Sequence, residues 1–320
     1  MGKIAFVFPG QGSQKVGMGQ SVIAANEDAK EVFKEADERL GYSLSTIISD
    51  GPQSKLTLTT NAQPALLTTS IAILQCFKES GIQPDYTAGH SLGEYTALVT
   101  SGAMTFSDAV YAVHKRGQLM EEAVPNGEGT MAAVLGMNRE DLQGITAEIT
   151  ANGDVVQLAN LNCPGQIVIS GTSAGVKKAS MKAKESGARR VLPLQVSGPF
   201  HSSLMKPAAE KFASILNKLE IKDIDIPVIT NVNAEPLTEA KDIKRKLIEQ
   251  LYSPVLWEDS VEKMLSLGVD TFVEIGPGKV LSGLIKKVNR RMQTYAVQDL
   301  ESCQETIEKL KEGKQNEVNR

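Results

Sequence analysis

A chain of 320 residues that is 41% hydrophobic can bury a large core, and its length suggests about two domains. Its formal net charge of −4 argues against general binding to nucleic acid or anionic membranes, so an anionic partner would need a local basic patch. Three widely spaced cysteines, Cys76, Cys163 and Cys303, fit neither a disulfide framework nor a metal site. The start Met-Gly-Lys-Ile has no apolar signal region and no window approaches the ~18 apolar residues of a membrane span, so a soluble, cytoplasmic protein is expected.

Ile4-Ala5-Phe6-Val7-Phe8 is an unbroken apolar run ended by Pro9-Gly10, the pattern of a strand buried on both faces of a parallel sheet. The glycine-rich loop Pro9 to Gln14 follows at a strand's carboxyl end, where α/β proteins put functional loops. Asn26 can cap a helix to about Leu40, and Asn61 another from about Ala62 to Ser80, with Gly41 and Gly81 as stops. Tyr86 to His90 reads as the second strand.

It leads into Gly89-His90-Ser91-Leu92-Gly93, a G-x-S-x-G elbow in which the strand turns sharply into a helix with the serine on the bend. The glycines on either side remove Cβ atoms that would clash in so tight a turn. Leu92 opens a helix whose first N–H groups lack intrahelical partners, so its amide can face an oxygen gaining negative charge during acyl transfer. Ser107 can cap the next helix, to about Ala123, with Val110, Val113, Gly117 and Met120 inward. Arg116 borders that stripe, where a charge needs a partner. The spacing allows an anionic ligand, or a snorkelling arginine paired with Glu121 or Glu122.

From Gly129 the pattern becomes β-α-β-β-α-β, the ferredoxin-like unit: strands 131–135, 155–160, 166–170 and 191–195, helices 139–151 and 174–186. The expected architecture is therefore α/β: a large α/β-hydrolase-like domain with a parallel sheet, residues 1–127 and 197–312, interrupted by a small ferredoxin-like domain at 128–196. Longer α/β alternation resumes after it: helix 203–217, strand 227–231, helices 238–251 and 257–267, strand 271–275, helix 280–288, strand 294–297. Residues 313–320 read as a flexible polar tail.

A serine nucleophile needs a base, and the chain has three histidines. His90, next to Ser91 in a strand, is expected to point to the opposite face. His114 sits at the edge of its helix stripe, as a half-exposed surface residue would. His201, in the loop Val196 to Ser203 where the chain returns from the inserted unit, is left as the candidate base.

Phe8-Pro9-Gly10-Gln11-Gly12-Ser13-Gln14, Gly89-His90-Ser91-Leu92-Gly93-Glu94, Arg116-Gly117 with Met120, Asn162-Cys163-Pro164-Gly165-Gln166, Gly198-Pro199-Phe200-His201-Ser202, Pro254-Val255-Leu256-Trp257 and Glu274-Ile275-Gly276-Pro277-Gly278 stand in this order in the chain. Together they closely resemble the malonyl-CoA:acyl carrier protein transacylase family of type II fatty-acid synthesis, over residues 4 to 300. The resemblance implies Ser91 as the acylated nucleophile, His201 as its base, the amides of Gln11 and Leu92 as oxyanion hole, and Arg116 on the malonyl carboxylate. It further implies that Gln250 orients His201 through a carbonyl, that Asn162 lines the site, and that Phe200 obstructs an α-methyl branch. Malonyl-CoA is then a substrate, acyl carrier protein a transient partner, no cofactor or metal is held permanently, and the protein is a monomer.

Two other classes compete. A thioesterase or esterase of α/β-hydrolase type has the chain order serine, acid, histidine, which the 119 residues after His201 fit poorly. A catalytically silent carrier-binding protein would have no use for Ser91, His201 and Arg116 together. An acidic carrier would need basic surface, and two stretches offer it: Lys177, Lys178, Lys182, Lys184, Arg189 and Arg190, and Lys286, Lys287, Arg290 and Arg291.

Overall fold

The computed structural model describes residues 2–125 and 127–318. Its strands are β1 (Lys3–Phe8), β2 (Tyr86–Gly89), β3 (Gly129–Leu135), β4 (Val156–Cys163), β5 (Gln166–Thr172), β6 (Arg190–Pro193), β7 (Val228–Ile229), β8 (Pro236–Leu237), β9 (Val255–Leu256), β10 (Val269–Ile275) and β11 (Gln293–Val297). They form two sheets, β11-β10-β1-β2-β7-β8 and β6-β3-β5-β4-β9.

The apolar run of β1 is explained by its place inside the larger sheet, parallel to β10 on one side and β2 on the other. Ile4, Phe6 and Phe8 enter one core cluster, while Ala5 and Val7 enter another on the opposite face. β11, β10, β1, β2 and β7 are all parallel, and only β8 runs against its neighbour β7. The carboxyl ends of β1, β2 and β7 therefore converge in the sheet's middle, where open α/β sheets carry their sites.

In the second sheet the strand order β6-β3-β5-β4 is antiparallel throughout and is the ferredoxin-like arrangement expected from the sequence. Its side chains alternate between two jobs. Ala132, Val134, Leu158, Ile167 and Ile169 pack with the helices Arg139–Ala151 and Ser173–Glu185, whereas Met131, Ala159 and Val168 turn the other way into the large core. This sheet is not built from 128–196 alone, because β9 adds to it parallel to β4, and Leu256 packs on its core.

Several helix starts differ from expectation. The helix Glu27–Leu40 does begin on Asn26, whose side chain accepts from the Ala29 amide, and ends on a left-handed Gly41. The next long helix, Thr59–Leu74, starts before Asn61, which lies buried inside it and donates to the Lys55 carbonyl. This helix is buried nearly all round, so no polar stripe marks its start. The helix Phe106–Glu122 is capped by Thr105 rather than Ser107. Short helices at Gln20–Ala25, Leu44–Asp50 and Gln53–Thr57 were not anticipated. A helix spans Leu300–Val318 and takes in 313–318 of the segment expected to be a flexible polar tail: Asp299 accepts from the Ser302 amide at its start, and Cys303, Thr306 and Leu310 anchor it. Residues 319–320 lie outside the described residues. No helix among the described residues is long and apolar enough to cross a membrane.

Candidate active site

Ser91 stands just past the end of β2 with φ 52°, a left-handed conformation that a non-glycine residue adopts only under constraint. The constraint is visible in its flanking glycines. A Cβ on Gly89 would lie 1.9 Å from the backbone of Gly93, and a Cβ on Gly93 would lie 2.1 Å from the Phe8 carbonyl oxygen. Asn231, just past β7, completes the clamp: its Oδ1 accepts from the Ser91 amide at 2.7 Å and its Nδ2 donates to the Gly89 carbonyl at 2.7 Å.

His201 also has a positive φ, 59°, and its ring meets the elbow. The Ser91 hydroxyl donates to His201 Nε2 at 2.8 Å, and His201 Nδ1 donates to the main-chain carbonyl of Gln250 at 2.8 Å. A carbonyl can only accept, so it fixes the proton on Nδ1 and leaves Nε2 free to take one. His201 is 4% exposed. Burial, with the Arg116 charge second, pushes its pKa down to about 3, so the ring is neutral at physiological pH.

Arg116 is 1% exposed, and its partners exclude the snorkelling reading. Nη1 donates to Gln63 Oε1 at 2.8 Å; Nη2 donates to Ser91 Oγ at 3.1 Å and to Gln250 Oε1 at 2.9 Å. Glu121 instead accepts from the Thr59 amide. The approach depends on Gly117, where a Cβ would lie 2.8 Å from the Thr59 carbonyl oxygen of the neighbouring helix. Among the described residues these three bonds leave two of the five guanidinium N–H groups without an acceptor, and the buried Nε is one of them. A buried cation with donors to spare, 3.1 Å from the Ser91 hydroxyl, is the kind of group that can receive an anion.

A cavity of about 260 Å³ joins these groups, lined among others by Gln11, Ser91, Leu92, Arg116, Phe200 and His201. Among the described residues the main-chain amides of Gln11 and Leu92 have no hydrogen-bond acceptor. The Gln11 side chain is tied to Thr59 Oγ1 at 3.2 Å. A wider groove of about 520 Å³, between the helix Arg139–Ala151, β4 and the loop Tyr252–Pro254, also reaches His201.

Asn162 sits otherwise than the sequence suggested. His90 lies just past the end of β2, its ring 5.9 Å from that of Trp257. Its Nε2 meets Asn162 Oδ1 at 2.8 Å rather than Ser91, so it is not the base. Asn162 consequently contacts His90, and it is Asn160, two residues earlier, that lines the cavity. His114 is half-buried, its Nδ1 on the Thr60 carbonyl at 3.0 Å rather than on Ser91.

The chain matches the family model described as the acyl transferase domain over residues 5–318. It is 63% identical to the malonyl CoA-acyl carrier protein transacylase of Bacillus subtilis (strain 168), over 99% of this chain and 100% of that one. The chain belongs to the acyl transferase family. Among solved structures, an acyl carrier protein S-malonyltransferase from Vibrio cholerae superposes with a TM-score of 0.93 at 46% identity, covering 95% of this chain and 99% of that one. A malonyl-transacylase solved in complex with a type II PKS acyl-carrier protein gives a TM-score of 0.93 at 42% identity, covering 96% and 99%.

In this acyl transferase the two basic stretches flank one end of the smaller sheet. Leu135 of β3 pairs with Gln166 on one side and Arg190 on the other, and Lys287 Nζ donates to Gln166 Oε1 at 2.8 Å. Not all of their charges are free. Lys178 is paired with Asp154, Lys182 with Glu148, and Lys286 donates to the Met292 carbonyl. Lys177, Arg189, Arg190 and Arg290 are exposed and make no ion pair among the described residues.

Gln63, Asn231 and the side chain of Gln250 were not foreseen in the roles they fill here. Only Asn231 left a trace, as the residue at the carboxyl end of a parallel strand beside β2.

Proposed function

We propose that the protein transfers a malonyl group from malonyl-CoA to the phosphopantetheine thiol of an acyl carrier protein, through a malonyl-Ser91 ester. The observation that carries this reading is that Ser91 Oγ lies 2.8 Å from a neutral, carbonyl-oriented imidazole and 3.1 Å from a buried arginine with unused donors. In the first half-reaction His201 Nε2 takes the Ser91 proton as Oγ attacks the thioester carbonyl. The amides of Gln11 and Leu92 stabilise the oxyanion, the C–S bond breaks, and His201 returns the proton to the coenzyme A thiolate. The second half-reaction reverses these steps with the carrier thiol as nucleophile. Arg116 holds the malonyl carboxylate throughout, and the Phe200 ring at the cavity wall disfavours an α-methyl branch. The wider groove reaching His201 gives the phosphopantetheine arm an approach. Residues 128–196, with their own core, act as a domain forming one wall of the cleft. Initial rates measured over both substrates test the reading: parallel double-reciprocal lines are expected, and intersecting lines, which require both substrates bound at once, would exclude the acyl-enzyme route.

We further propose the sheet end bearing Arg189, Arg190, Lys287 and Arg290 as the carrier's docking surface, in preference to the neutralised Lys178 and Lys182. Charge reversal at Arg189 with Arg190 should raise KM for an acidic carrier about three- to tenfold at low salt, less at high salt, and leave acylation by malonyl-CoA little changed. Equal losses in both half-reactions would mean misfolding or a role in coenzyme A binding; no loss would leave these residues as plain surface charge.

A further inference from the structure

Glu94 is 2% exposed and takes no part in the steps above. Its Oε2 accepts from Gln250 Nε2 at 2.7 Å and from the Asn231 amide at 3.1 Å. The other end of the same Gln250 amide accepts from Arg116 at 2.9 Å. Gln250 Nε2 also donates to the Ser91 carbonyl at 3.0 Å and to Asn231 Oδ1 at 3.2 Å. The amide thus lies head to tail between a carboxylate and a guanidinium, N–H toward the negative group and C=O toward the positive one. A buried carboxylate and guanidinium this near would ordinarily pair directly and cancel. Here one neutral side chain holds them apart, and the arginine keeps donors for another anion.

We infer that Glu94 is a positioning residue that, acting through the Gln250 amide, sets how much of the Arg116 charge is available to an acyl carboxylate. The inference rests on the reading of Arg116 given above. With Glu94 protonated, the guanidinium charge is open to the substrate; with Glu94 ionised, two carboxylates compete for it. The charged groups facing Glu94 are Arg116, from the helix Phe106–Glu122, and Lys246, from the helix Ala240–Gln250, itself paired with Glu249 at 2.9 Å. The nearby His201 is neutral. Burial outweighs the hydrogen bonds and both cations, and pushes the Glu94 carboxyl up to about 7. The competition therefore changes near neutral pH, and by linkage an acyl carboxylate binding to Arg116 draws a proton onto Glu94.

The test is Glu94→Gln, which keeps an oxygen for Gln250 and Asn231 and removes the charge. In the wild type, KM for malonyl-CoA in the acylation half-reaction should rise between about pH 6 and 8; in the variant it should stay flat, about three- to tenfold below the wild type at pH 8, with kcat within about twofold. An unchanged KM and an unchanged pH profile would overturn the inference, and so would a fall in kcat with KM unmoved, which marks a residue that only braces Ser91. If the variant does not fold, calorimetry on Ser91→Ala in buffers of different ionisation enthalpy decides. Near pH 7, binding of malonyl-CoA should take up a fraction of a proton and binding of acetyl-CoA none; no difference between the two overturns it. Arg116→Ala separates the two levels, since an unaltered malonyl-to-acetyl ratio there sinks the reading of Arg116 itself, whereas an altered ratio with no effect of Glu94→Gln sinks only this one.

Discussion

Replacing Arg116 with alanine should abolish the preference for malonyl over acetyl thioesters, lowering the ratio of their kcat/KM values by about 30- to 150-fold. A buried charged donor left unmatched costs about 2–5 kcal/mol, which spans roughly 30- to 5000-fold. The lower part of that range is expected here because with an acetyl group bound the guanidinium still keeps Gln63 and Gln250. Most of the change should come from lost malonyl transfer, with a relative gain for acetyl. Parallel kcat/KM measurements on the two thioesters check it, and an unchanged ratio would reduce Arg116 to a structural residue.

His201→Ala should slow acylation about 10²- to 10⁴-fold, the usual worth of a positioned general base, with KM for malonyl-CoA little affected because His201 does not hold the carboxylate. The wild-type pH profile carries a matching expectation. An ordinary histidine would lose base function as pH falls through about 6.5. With its pKa pushed down to about 3 by burial and by Arg116, His201 stays unprotonated far below that. The acylation rate at saturating malonyl-CoA should therefore show no acid limb near 6.5, and rapid-quench rates between pH 5 and 8 measure this. A limb at 6.5 that His201→Ala removes would show the ring to be more solvated than its packing implies.

The sequence carried these two residues and the elbow because each leaves a local mark. Gly89 and Gly93 are required by backbone contacts inside a five-residue bend, so they read as a motif. The parallel strands announced themselves as apolar runs, since both faces of the sheet are buried. β8 and β9 are two residues each, too short for any periodicity, and β9 gains its meaning only by pairing with β4. The network around Ser91 was hidden for another reason. Gln250 meets the Ser91 carbonyl across 159 positions of sequence, and Gln63, Asn231 and Gln250 are neutral amides that look like any surface residue until the fold buries them together. Arg116 showed the intermediate case: its helix position marked a charge at the border of the buried stripe, but only the tertiary structure showed that it is buried on Gln63, Ser91 and Gln250 rather than snorkelling to Glu121 or Glu122.

Every role proposed for the site depends on Ser91 becoming acylated. Brief exposure of the protein to malonyl-CoA, followed by intact-mass measurement and peptide mapping, tests this most directly. One malonyl group should be gained on Ser91, lost again when a carrier thiol is added, and absent from Ser91→Ala. No adduct, or an adduct on Ser13 or Cys163 that survives in Ser91→Ala, would contradict it.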